Sequence, residues 1–251
     1  MATWIAHLRI AENLLEHIPG LDPGQFAIGN IAPDSGIPDE KWEKFNPPPE
    51  ITHFKRSKSV HKDIADLDFY RDYLADISPD DAGQFSFRLG YFFHLITDNL
   101  WTVEVGRPTS ERWAEQFATD KKFIWEVKQD WYGLDQIYVR EYPNCLFWRI
   151  FLDSEPASAD LDFLPPKALP RQMKHIKSFY QRDDDGIQAM MARPMIYLSK
   201  AEMDRFVVHA TKRIYDIYQI LWPTPPALDG KVSAIQLTKG YDNLILNPSS
   251  S

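Results

Sequence analysis

The stretch GYFFHLITDNLW, residues 90–101, sets His94 and Asp98 one helical turn apart in an otherwise apolar run. Just upstream, SPDD offers Ser78 as an N-cap, Pro79 at the first helical position, and Asp80 and Asp81 in the first turn, where negative charge favours a helix start. The spacing predicts one helix from there to about Val103. Between Phe85 and Trp101 it is apolar nearly all round, as expected of a helix enclosed by protein, so it reads as the central element. Residues four apart share a helix face, which brings Phe87, Gly90, His94, Asp98 and Trp101 into one stripe. Gly90, a turn before His94, leaves room for another chain to approach. A buried carboxylate without a partner costs several kcal/mol, so Asp98 must be protonated, meet a cation or bind a metal. The spacing alone leaves a self-satisfied His–Asp pair and a metal ligand pair both open.

Outward from this helix, helical periodicity dominates and alternating strand patterns are scarce, so the expected class is all-α, a multi-helix bundle around the 79–103 helix. A first helix spans 4–18 with Thr3 as N-cap, and a second covers about 60–77. Others run from about 110 to Gly133, with a helical continuation over 136–152, and over 168–182. SKAE gives a capping box of Ser199 and Glu202, opening a helix with Met203, Phe206, Val207, Ala210, Ile214, Ile217 and Leu221 on one stripe. Residues 20–53, rich in Pro, Gly, Asp and Asn, are too long for a simple connection and read as a functional loop. The expected division is a helical domain over 1–222 and a tail over 223–251 packed on it or extending from it.

Twenty-eight basic against 36 acidic residues leave a formal charge of −8, which disfavours nucleic acid as the main partner. The single cysteine, Cys145, excludes an intrachain disulfide framework and a thiolate zinc cluster, so any metal must be held by His, Asp and Glu. Arg9 and Glu12 interrupt the N-terminal apolar residues, no segment is long and apolar enough to span a bilayer, and a cytoplasmic location is expected.

At 100° per residue His7 falls on the apolar arc of the first helix with Ala11, Leu14 and Ile18, turning an imidazole inward. FAIGNIAPDSG places Asp34 in a turn after a proline, and ITHF places His53 among apolar neighbours. Alone, each has an ordinary explanation. Together His7, Asp34, His53, His94 and Asp98 form a nitrogen and oxygen donor set of the kind zinc takes. The basic stretch HFKRSKSVHK adds Lys55, Arg56 and Lys58 as candidate phosphate contacts, with a solvated loop as the plainer reading; His61 is equally ambiguous. His17, His175 and His209 read as surface or structure.

The order AHLRIAENLL, FAIGNIAPDSG, THF, FRLGYFFHLITDNLW resembles the zinc-dependent phospholipase C family, whose helical fold is similar to that of the single-strand-specific zinc nucleases. The resemblance covers roughly residues 4–101. It implies that Asp34, His53, His94 and Asp98 hold one zinc, that His7 joins a neighbouring zinc bridged by Asp98, and that the reaction is phosphoester hydrolysis by a metal-activated water. The substrate would be a phospholipid or a small phosphoester, with Asp34 the expected general base. The chain departs from the family pattern twice. Trp4 follows Met-Ala-Thr, where the family uses a free N-terminal tryptophan, and no histidine occurs between 94 and 175, where the family adds ligands. Glu126 and Asp130 are the residues that could substitute, though surface carboxylates are the plainer reading. Two alternatives stand beside the enzyme: a non-catalytic metal-stabilised domain and a metal-free helical interaction protein.

Overall fold

The computed structural model describes residues 1–40, 43–56, 64–157 and 161–240. Among them are eleven α-helices and one two-stranded sheet, and the architecture is all-α. In chain order the helices are α1 (Trp4–Leu15), α2 (Pro23–Gly29), α3 (Pro49–Thr52), α4 (Asp66–Phe69), α5 (Ala82–Trp101), α6 (Arg107–Arg112), α7 (Ala114–Thr119), α8 (Phe123–Glu141), α9 (Ala168–Gln181), α10 (Asp185–Ala192) and α11 (Lys200–Leu221). Strands β1 (Ile37–Pro38) and β2 (Phe45–Asn46) pair antiparallel between α2 and α3.

Helix α5 is the axis: every residue from Phe85 to Trp101 is buried. Its N-cap is Asp81, whose side chain accepts from Gln84 N at 3.1 Å, and not Ser78. Ser78 caps a preceding turn instead, accepting from Asp80 N. Either residue satisfies a free N–H, and the chain begins its helix at the later one. The expected 20–53 loop contains α2, capped by Asp22 with Pro23 at its first position. Seven residues show too little periodicity to be recognised, and packing is what holds α2 in place. It crosses α5 at Gly29 and Gly90, where a Cβ on Gly29 would lie 2.0 Å from the Phe87 carbonyl oxygen and one on Gly90 2.4 Å from that of Phe26. The room expected beside Gly90 is filled by this backbone.

The first helix ends at Leu15, short of the expected Ile18. Its cap is Thr3, and Ile5, His7, Leu8, Ile10, Ala11 and Leu14 are buried. The expected 110–133 helix is broken at Trp113 and again at Asp120, and α8 then runs through Gly133, where the Met195 side chain and the Met190 carbonyl pack close to the helix. Of the expected 60–77 helix, α4 continues as a π-helical turn over Tyr70–Leu74, and 57–63 lie outside the described residues. Asp184 in the acidic turn caps α10. The capping box of Ser199 and Glu202 is formed, and the whole predicted stripe of α11 is buried. Beyond α11, Ser233 and Ala234 bond to the buried carboxylate of Asp66, which also accepts from Asn99 of α5.

Candidate metal centre

Four elements converge beside the α2–α5 crossing. Helix α1 turns His7 inward, α5 supplies His94 and Asp98, His53 caps the C-terminus of α3, and Asp34 ends the 3-10 turn Ala32–Asp34. The position of His53 is fixed by its successor. Phe54 adopts a left-handed backbone, φ 51°, and its ring is held by Phe69, Tyr73 and Phe163, so the chain reverses there.

The five side chains expected from the sequence come together. His53 Nε2 lies 3.3 Å from Asp34 Oδ1, 3.6 Å from Asp98 Oδ2 and 3.4 Å from His94 Nε2. His94 Nε2 is 3.7 Å from Asp98 Oδ2, and His7 Nε2 is 3.6 Å from Asp98 Oδ1. The rings of His7 and His94 stack, centroids 3.8 Å apart. Two overlapping triads result, His7–His94–Asp98 and Asp34–His53–His94, each with donor atoms close enough to share one ion.

Hydrogen bonding decides what these groups offer. The Asn30 carbonyl is an acceptor only, so His94 donates to it from Nδ1 at 2.8 Å and turns the Nε2 lone pair inward. Burial, reinforced by the neighbouring His7, lowers the His94 pKa to about 3, so its ring is neutral at physiological pH. Burial disfavours ionised Asp34, but His53 and His94 outweigh it and hold the pKa down to about 2. Asp98 lies well below the ordinary range: burial opposes its charge, and the amino-terminal charge with His7 and His94 overcomes it. The Ala2 amide donates to Asp98 Oδ1 at 2.7 Å, leaving buried Asp98 Oδ2 and both nitrogens of His7 without a hydrogen-bond partner. At 3.6 Å the His7–Asp98 contact is too long for a hydrogen bond. An unpartnered carboxylate oxygen and imidazole in the interior are costly, a cation among these donors would relieve that cost, and the all-N/O donor set fits zinc.

Other candidates fall elsewhere. Asp130 is fully buried rather than on the surface, and accepts from the amides of Tyr197 and Leu198; exposed Glu126 pairs with Arg193. Arg56 is held by Asp68 at 2.6 Å, while Lys58 and His61 lie outside the described residues. His17 is exposed and His209 binds Glu104 at 2.8 Å. His175 has a place that sequence reasoning missed: with Trp4, Trp125, Lys128, Trp131 and Tyr132 it lines a cleft of about 310 Å³ that Asp34 and His53 also line. Trp4, which the sequence marks only as a departure from the family's N-terminal tryptophan, sits three residues before His7, the spacing that places two side chains on one helix face.

The sequence model of a family described as zinc dependent phospholipase C matches residues 6–157. No curated protein and no solved structure matches the chain.

Proposed function

The chain belongs to the zinc-dependent phospholipase C family, the matched span being more than half of it and containing all five clustered residues, and from that premise we propose that it is a zinc-dependent phosphoester hydrolase. The observation that supports this most is the convergence of three imidazoles and two carboxylates with His7 and Asp98 Oδ2 unpartnered in the interior. On this reading Asp34, His53, His94 and Asp98 hold one zinc, and His7 with Asp98 extends the site toward a second. When bound, zinc supplies Lewis acidity at a phosphoryl oxygen and makes a water nucleophilic near neutral pH.

The chain's own groups do the rest. Asn30 fixes the tautomer of His94, and Thr52 Oγ1, 3.0 Å from His53 Nδ1, steadies that ring. Asp34, with a side chain 12% exposed against 0–1% for the other four, is the most exposed of the candidate ligands, and on this reading its Oδ2, which accepts one bond from Trp4 Nε1, keeps a lone pair to take a proton from the attacking water. Its low pKa keeps it ionised across neutral pH and limits its strength as a base. Trp125, Trp131 and Tyr132 offer apolar walls to a leaving group, and Lys128 a positive charge to the phosphoryl group. Phospholipids and small soluble phosphodiesters share the group this site would act on. We also take 1–222 as the catalytic domain and 223–251 as a tail, residues 233 and 234 being fastened to it through Asp66.

The burial of four of the five ligands favours one other reading, a metal that stabilises the fold without turnover. Assaying zinc-loaded protein against bis(p-nitrophenyl) phosphate and phosphatidylcholine vesicles separates the two. Hydrolysis of either, absent in His94→Ala, is the expected result; bound zinc with neither substrate hydrolysed would favour the structural reading.

A further inference from the structure

A ligand carboxylate has two equivalent oxygens, and something must determine which one faces the metal. For Asp34 that something is an indole. Trp4 Nε1 donates to Asp34 Oδ2 at 2.9 Å, and Oδ1 is thereby left facing His53 Nε2 at 3.3 Å. Taking the metal reading above as its basis, we infer that Trp4 is the positioning residue of the site, its indole N–H fixing Asp34 to present a single oxygen inward.

The indole is itself immobilised, which is what allows it to set the carboxylate rather than follow it. Trp4 is the first residue of α1, directly after the Thr3 cap. Thr3 Oγ1 donates to Asp135 at 2.7 Å, and Tyr180 donates to the other oxygen of Asp135 at 2.6 Å, so the start of α1 is tied to α8 and α9. The Trp4 ring meets His175, Phe179 and Tyr180 edge-on at centroid distances of 5.7–6.3 Å. An indole held on one side by three rings and at its base by a capped helix offers its N–H in one direction. Asp34, on a three-residue turn with part of its side chain in solvent, has no comparable restraint of its own. Without the indole N–H, Oδ2 would be free to bind the metal alongside Oδ1.

A purely packing role for Trp4 predicts that phenylalanine serves equally well, and this provides the test. Cobalt(II) is titrated into metal-free wild type, Trp4→Phe and Trp148→Phe, reading affinity and the visible absorption that reports coordination geometry. Trp148 also loses an indole hydrogen bond, to the Val139 carbonyl, but stands outside the site. Trp4→Phe should lose about 10- to 100-fold in cobalt affinity, as outer-sphere partners of ligands do, with an altered spectrum. Trp148→Phe should bind as wild type does, and in an Asp34→Asn background the Trp4 change should have no added effect. Wild-type affinity and spectrum in Trp4→Phe would overturn the inference while leaving the metal site standing. Failure of wild type itself to bind cobalt would remove the metal reading and the inference with it. Should Trp4→Phe not fold, the indole N–H resonance of Trp4 in isotope-labelled wild type gives the same answer. It should be protected from exchange and should move in Asp34→Asn; indifference to that change would contradict the inference.

Discussion

His94 makes its case through one bond. The Asn30 carbonyl takes the proton on Nδ1, and the lone pair on Nε2 then points at His53 and Asp98. Removing that lone pair should matter more than removing any exposed histidine. His94→Ala is expected to lower zinc affinity by more than the roughly 10- to 100-fold typical of outer-sphere changes, while His17→Ala, at an exposed position, leaves it unchanged; isothermal titration on both variants checks this. Much of this scale was legible in advance. The four-residue spacing of His94 and Asp98, the inward phase of His7 and the turn holding Asp34 could all be read from residue order. What could not be read was pairing between distant segments: the Asn30 carbonyl, the Trp4 indole, and the burial of Asp130 beneath Tyr197. A helix projection reports which face a residue occupies and says nothing of what lies opposite.

At the scale of elements, the crossing of α2 and α5 is what brings the 30–34 turn over His94. The crossing is tight enough that Gly29→Ala, with its Cβ 2.0 Å from a backbone oxygen, is expected to destabilise by about 1–3 kcal/mol or more in urea denaturation. Gly83→Ala on the central helix α5 meets nothing nearer than 3.9 Å and should be neutral or stabilising by up to about 1 kcal/mol. Gly90 signalled a close neighbour in the sequence, but the neighbour, a seven-residue helix inside a Pro- and Gly-rich stretch, left too few turns to show a period. The longer helices were legible for the opposite reason: α11 repeats its apolar stripe over 22 residues. The segment beyond α11 is joined to α4 and α5 through Asp66, whose pKa burial raises to about 7 despite bonds from Ser233, Ala234 and Asn99. Asp135 is likewise raised to about 7 by burial. Both lie above the unfolded value of about 3.9, so the folded state binds the extra protons. Their stabilising contribution is present below about pH 4 and is lost as pH rises through 7, with a slope of up to about 1.4 kcal/mol per pH unit for each group. Denaturation measured between pH 4 and 8 should show this decline, and Asp66→Asn should flatten it.

For the molecule as a whole, the all-α class and the central buried helix followed from periodicity spread over the chain, and the family follows from motifs that the fold gathers from four separate segments. None of the described helices is long and apolar enough to cross a membrane. The same gathering leaves a cost at the centre, where His7 and Asp98 Oδ2 stand buried without a hydrogen-bond partner among the donors that α1, α5, the end of α3 and the Asp34 turn bring together. If a metal offsets that cost, it also stabilises the fold, because it binds the native state and not the unfolded chain. Chelation should then lower the melting temperature of wild type by several degrees and leave that of His94→Ala unmoved. The most direct test is elemental analysis of the purified protein. At least one zinc per chain is expected, lost in His94→Ala; a zinc content near zero, with a melting temperature indifferent to both chelator and added zinc, would contradict a metal at this centre.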